Sequence, residues 1–141
     1  MADWKNRLGS FFSESEKNDD EQTKTPFEKF LTDAALPAFE ELRIELERHG
    51  RTSTIRKSVS AAILTVHNGK TEEIMYRLQE RRLPDKTLPY AQVRMRERGG
   101  LKLVTVEAMV RPGSDYQTED LTKDDVIRSV LDHYTSRINL G

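Results

Sequence analysis

Two stretches of alternating apolar and polar residues, each interrupted by a glycine-containing turn, constrain the fold most strongly. The first runs SAAILTVHNGKTEEIMYRLQERR at residues 60–82, and the second runs YAQVRMRERGGLKLVTVEAMV at residues 90–110. Alternation with a period of two is typical of a half-buried strand, and Asn-Gly between two such runs is a strong hairpin signal. The chain is therefore expected to form two β-hairpins.

Each turn predicts a register, and each register gives a uniformly apolar face. A two-residue turn at Asn68-Gly69 pairs Ile63 with Ile74, Ala61 with Tyr76, and Val59 with Leu78. A two-residue turn at Gly99-Gly100 pairs Met95 with Val104, Val93 with Val106, and Ala91 with Ala108. Because a slip of one residue moves a whole set of side chains to the opposite face, this uniformity supports both registers.

Helical periodicity is found on both sides of the hairpins. Residues 26–49 carry apolar side chains at the spacing of one helix face, and Gly50 follows where helices commonly end in glycine. Pro37 removes a backbone donor inside this helix, so a kink is expected near residue 34. Thr122, with Asp125 three residues later, resembles a capping box that begins a final helix.

Residues 25–141 are thus predicted to form a single α+β domain. Its parts are a long kinked N-terminal helix, a four-stranded antiparallel meander made of the two hairpins, and a C-terminal helix. Both helices are expected on one face of the sheet, because that arrangement buries every apolar face.

Residues 1–24 are predicted to be a flexible segment that precedes the domain. Its second half, SESEKNDDEQTK, is an acidic linker without apolar periodicity. Its first half has helical spacing of large apolar side chains, which is typical of a short peptide that docks on its own domain, on a partner or on a membrane surface. The residues of this possible docking peptide are Trp4, Leu8, Phe11 and Phe12.

The composition excludes several kinds of chemistry. The chain contains no cysteine, which removes disulfides and thiolate metal sites. It has no apolar run of membrane-spanning length and no visible signal peptide, so a cytoplasmic location is expected. A bacterial origin is also expected. Spacings typical of zinc helices, nucleotide-binding loops and serine nucleophiles are not found. No catalytic residue, cofactor or metal is predicted.

Charge is distributed unevenly along the chain. Lysine and arginine are in excess over aspartate and glutamate at residues 51–111, by 13 to 6, whereas both ends are acidic. Much of this positive charge falls on the second face of the predicted sheet, mixed with aliphatic side chains. The first hairpin contributes Ala62, Leu64, Val66, Met75, Arg77, Gln79 and Arg81 to that face. The second contributes Tyr90, Gln92, Arg94, Arg96, Arg98, Leu101, Leu103, Thr105, Glu107 and Met109.

We interpret this Arg/aliphatic face as an interaction surface, because arginine, methionine and tyrosine are enriched in protein interfaces. The expected function is non-catalytic binding of a protein partner or of a second copy of the chain. One alternative is binding of nucleic acid or another polyanion through the same arginines. Another is an enzyme or small-ligand binder with a pocket between helix and sheet. The predicted surface consists of Arg77, Arg81, Tyr90, Arg94, Arg96, Arg98, Leu101, Leu103 and Met109.

Overall fold

The computed structural model describes residues 25–96 and 102–140, with the side chains of the last helix described to residue 136. The elements of the described chain follow the order helix, sheet, helix. The helical segments are α1 (Pro26–Phe30), a π-helical turn (Leu31–Ala35), α2 (Leu36–Arg48), a 3₁₀ turn (Thr118–Asp120) and α3 (Lys123–Leu140). The strands are β1 (Thr52–Lys57), β2 (Ala62–Asn68), β3 (Thr71–Arg82), β4 (Thr87–Arg96) and β5 (Leu103–Met109).

The N-terminal helix is continuous and accommodates Pro37 through the π-helical turn. Thr25 caps its beginning, since the Thr25 hydroxyl accepts a hydrogen bond from the Glu28 backbone N–H at 3.1 Å. Proline has no N–H, and in a regular helix its ring would clash with the carbonyl four residues earlier. The Leu36 N–H reaches back five residues to the carbonyl of Leu31. The disturbance expected near residue 34 is therefore a π-helical turn within one helix.

Over residues 25–96 and 102–140, the sheet contains five antiparallel strands in the order β1-β2-β3-β4-β5. The α+β class and the antiparallel meander are confirmed, but the prediction of four strands was wrong. The missed strand is β1, which pairs with β2 across a short loop at residues 58–61. Val59, expected inside the first hairpin, lies in this loop and is 75% exposed.

The second hairpin has the predicted register. Ala91 pairs with Ala108, Val93 with Val106 and Met95 with Val104, and on the other side Arg96 pairs with Leu103. The predicted opposition of Leu101 and Arg98 lies outside the described residues.

The predicted register of the first hairpin was wrong. Leu64, and not Ala61, lies opposite Tyr76, and Asn68 pairs with Thr71 around a turn at residues 69 and 70. The register shifts between Val66 and His67, because Glu73 is an extra residue that forms a β-bulge. As a consequence Ala62, Leu64 and Val66 face the core and not the Arg/aliphatic face to which the sequence assigned them.

The core lies between one face of the sheet and both helices. It joins Phe30, Leu31 and Phe39 of the N-terminal helix to Tyr76 at the centre of the sheet and to Val130 of α3. These side chains are at most 5% exposed. Both helices therefore pack on one face of the sheet, as predicted. Within the described ranges, no helix combines the length and hydrophobicity that crossing a lipid bilayer requires.

The C-terminal helix begins at the predicted capping box. The Asp125 N–H donates to the Thr122 hydroxyl at 3.3 Å, and the Thr122 N–H donates to the Asp125 carboxylate at 2.8 Å. Arg111, just after β5, also donates to this carboxylate at 2.8 Å and so ties the end of the sheet to α3.

Candidate functional site

The face of the sheet that points away from the helices, here called the outer face, is where the Arg/aliphatic surface was predicted. Side chains that pair across neighbouring strands lie on the same face, so the registers define its rows. One row runs Arg56, Ile63, Arg77, Gln92 and Glu107, and the next runs Thr54, Thr65, Met75, Arg94 and Thr105. On the central strands Ile63, Thr65, Met75, Arg77 and Arg94 all remain partly accessible.

Arg81 is held by two neighbours at one end of the outer face. Its guanidinium lies 4.8 Å from the centre of the Tyr90 ring and donates to the Glu107 carboxylate. The Tyr90 hydroxyl in turn donates to the Gln79 side chain at 2.8 Å. Tyr90 is thus covered by a cation, and its ring is not freely presented for stacking.

Arg94 forms a bidentate ion pair near the other end of the face. Its Nε and Nη2 atoms donate to the two oxygens of Glu72 at 2.9 and 2.7 Å, and the Nε atom of Arg96 donates to the Glu72 backbone carbonyl at 2.9 Å. The hydrogen bond from Arg94 holds the pKa of the Glu72 carboxyl below its usual range, against the opposing effect of partial burial. Two of the predicted arginines therefore converge on one glutamate that the sequence analysis had not placed on this face.

Arg77 and Arg56 contrast with these paired arginines. Within the described part of the chain, the Arg77 Nε atom is buried and has no hydrogen-bond partner. Arg56 is exposed and likewise has no partner among the described residues. Arg56 was not among the predicted residues because it lies on β1, the strand that was not predicted.

A concavity of about 300 Å³ lies on the outer face over β1, β2 and β3. Its apolar lining, here called the base, is formed by Ile63 and Met75. Each of them pairs across neighbouring strands with an arginine of the charged rim, Ile63 with Arg56 and Met75 with Arg94. The surrounding side chains are Thr54, Arg56, Thr65, His67, Glu72 and Arg94. The arrangement offers hydrogen-bond donors beside an apolar surface, which is suited to a ligand that has an anionic group next to an apolar group.

The remaining predicted residues have different positions. Leu103 is on the outer face and is 45% exposed. Met109 pairs with Tyr90 but is partly buried against the core, so it contributes to packing. Arg98 and Leu101, and the possible docking peptide of Trp4, Leu8, Phe11 and Phe12, lie outside the described residues.

A second cavity, of about 320 Å³, lies between the first turns of the N-terminal helix and the 3₁₀ turn. Its lining includes Lys29, Asp33 and Glu119 around Phe30. The pocket that an enzyme was expected to have would lie between helix and sheet, and this cavity lies elsewhere. In the part of the chain that the structure describes, no three His, Asp or Glu side chains converge as a metal site would require.

The fold and the outer face together define a small α+β domain with one covered and one open face of an antiparallel sheet. The chain matches none of the protein families, curated proteins or solved structures with which it was compared.

Proposed function

We propose that this protein is a non-catalytic interaction domain that binds a polypeptide, either a partner or a second copy of itself, through the outer face of its sheet. The observation that carries the proposal is the contrast between the two sides of β3. Tyr76 and Leu78 are completely buried under the helices, whereas Met75 and Arg77, which alternate with them along the strand, keep solvent access. Aliphatic and arginine side chains at the centre of a sheet are the composition that protein interfaces favour.

A polyanion is the weaker alternative for the same face. Arg81 and Arg94 already contact carboxylates of the chain, so less of the positive charge is available to phosphate groups. Single-stranded nucleic acid also needs aromatic side chains on which bases can stack, and Tyr90 is covered by Arg81. We therefore favour a protein ligand. A cytoplasmic location is proposed from the sequence.

Self-binding can be tested by sedimentation equilibrium of the full chain at tens of micromolar. Leu103→Asp introduces a charge on the outer face, and Leu131→Asp is its matched control, since Leu131 is 41% exposed on α3. A dimer that dissociates in Leu103→Asp and persists in Leu131→Asp supports binding of a second copy through this face.

Binding of a different polypeptide can be tested by selecting ligands for the full chain from a random dodecapeptide display library. Peptides that bind the wild type and Leu131→Asp, but lose affinity for Leu103→Asp and for Met75→Asp, support the proposal. Circular dichroism of each variant establishes that it is folded. A monomeric chain whose selected peptides bind all variants equally would overturn the proposed function.

A further inference from the structure

We infer that the concavity on the outer face is an anchor site for an acidic protein segment, in which an Asp or Glu carboxylate lies next to a large apolar side chain. This inference rests on the proposed function and names the chemistry of its ligand. The ligand's carboxylate would bind at Arg56 with the threonine hydroxyls, and its apolar side chain would lie on Ile63 and Met75.

Charge complementarity is the first reason for an acidic ligand. The described outer face carries five arginines, at positions 56, 77, 81, 94 and 96, and two glutamates, Glu72 and Glu107. Both glutamates are engaged by arginines, Glu72 by Arg94 and Glu107 by Arg81. Arg56 and Arg77 therefore remain on the described part of the face without a carboxylate partner among the described residues, and a ligand of opposite sign is favoured.

The arrangement of donors is the second reason. Thr54 and Thr65 are paired across β1 and β2, and Arg56 and Ile63 are the next pair on the same face. Ile63 in turn pairs with Arg77, so one isoleucine lies between two arginines on neighbouring strands. Strands are separated by about 4.8 Å, which places the two arginine backbones about 10 Å apart. Two arginine residues thus flank the same isoleucine on the outer face.

The apolar base distinguishes an acidic peptide from a free phosphate or a nucleic acid. Ile63 and Met75 offer no donor to a phosphate, but they can pack against an aliphatic or aromatic side chain. Of the two arginines of the rim, Arg94 forms a bidentate ion pair with Glu72, whereas Arg56 pairs with no described carboxylate. A single carboxylate beside an apolar group matches this site better than a repeating polyanion.

The test uses the dodecapeptides selected on the full chain, with Arg56→Gln as the variant and Lys57→Gln as its control. Lys57 is the next residue on β1 and is also an exposed cation, but it lies on the opposite face of the strand. We expect the selected peptides to carry Asp or Glu next to a large apolar residue. Their affinity should fall about tenfold in Arg56→Gln, equivalent to about 1.4 kcal/mol, and remain unchanged in Lys57→Gln.

A second pair of variants removes a hydroxyl without changing charge. Thr65→Val deletes a donor of the concavity, whereas Thr105→Val deletes a hydroxyl on the same face but outside it. Peptide affinity should decrease in Thr65→Val alone. Circular dichroism of both variants establishes that each is folded, because Thr65 is partly buried on an inner strand and Thr105 is exposed on an edge strand.

The outcomes separate this inference from the proposed function. Selected peptides without acidic residues, or equal binding to wild type and Arg56→Gln, overturn the acidic anchor site. If those same peptides still lose affinity for Leu103→Asp and Met75→Asp, the proposed protein-binding face is retained.

Discussion

Tyr76 and Ser129 form a hydrogen bond in the centre of the core. Substituting each partner in turn measures how much this hydrogen bond contributes to stability. The Tyr76 hydroxyl donates to the Ser129 Oγ atom at 2.7 Å. Burial raises the pKa of Tyr76 above its ordinary value, so the hydroxyl stays protonated and remains a donor. The pair joins the central strand to α3.

Removing the serine should cost more stability than removing the tyrosine hydroxyl. Ser129→Ala leaves a buried phenol without a partner, which costs about 1–3 kcal/mol. Tyr76→Phe leaves a serine that can turn to a carbonyl of its own helix, and should cost about 0.5–1.5 kcal/mol. Urea denaturation of the two variants and of the double variant measures both values and their coupling. The reverse order would contradict this assignment of donor and environment.

The Glu72–Arg94 pair gives a prediction about pH. Because the folded pKa of Glu72 is lowered, its contribution to stability is present above the unfolded pKa of about 4.3 and is lost as the pH falls through the folded value. Arg94→Gln should raise the pKa of Glu72 and weaken this part of the acid dependence. Carboxyl-carbon NMR titration measures the change. Arg96→Gln is the comparison: Arg96 donates to the backbone carbonyl of Glu72 and lowers the pKa of its carboxyl less than Arg94 does, so its removal should raise that pKa less.

For single residues, the sequence predicted the face on which the arginines lie but not the glutamate with which they interact. The alternation through Arg94 and Arg96 placed both side chains correctly on the outer face. Glu72 would share a face with Ile74 in a regular strand, and only the bulge at Glu73 turns it to the opposite side. A bulge depends on tertiary packing and carries no simple sequence signal, so the ion pair was not foreseen.

The β2–β3 hairpin shows why one register was predicted correctly and the other was not. Residues 61–64, AAIL, are apolar at both parities, so over these four positions either alternate set could have faced the core. Hydrophobic alternation therefore could not determine the register, and the assumed turn position decided it. Residues 91–96 have arginine or glutamine at every second position, so their orientation was unambiguous.

Strand β1 was missed for a related reason. Its sequence TSTIRK contains one apolar residue, Ile55, and gives little alternation to recognise. It is an edge strand, and its position is set mainly by pairing with β2. Arg56, the rim residue on which the acidic anchor site depends, was therefore missed together with this strand.

The conformation of the turn between β2 and β3 can be tested at Gly69, which has a positive φ of 63°. A Cβ atom at this position would meet open space, so Gly69→Ala should cost only the strain of a left-handed conformation, about 1–2 kcal/mol. Gly69→Asn should cost less, because asparagine tolerates this conformation. Urea denaturation compares them with Lys70→Ala, whose φ is negative. Equal stability of Gly69→Ala and wild type would contradict this account of the turn.

Across the whole molecule, stability should decrease from the centre of the sheet to its edges. β3 has a paired strand on each side and its buried face under both helices, whereas β1 and β5 have one paired neighbour each. In native-state hydrogen exchange, the amides of β3 should therefore exchange most slowly and those of β1 and β5 faster. The comparison uses only amides that are hydrogen-bonded to a neighbouring strand. Exchange of β1 amides as slow as that of β3 would show an additional element protecting the edge.

The bulge at Glu73 links the two sides of the sheet at one point of the backbone. Glu72 holds Arg94 on the outer face, while the adjacent Glu73 accepts a hydrogen bond from the Tyr134 hydroxyl of α3 and forms an ion pair with Arg51. Loss of the Glu72–Arg94 ion pair, as in Arg94→Gln, would disturb a strand segment one peptide unit from the anchor of the C-terminal helix. That disturbance would reach the far side of the domain, and the Tyr134 ring resonances would report it.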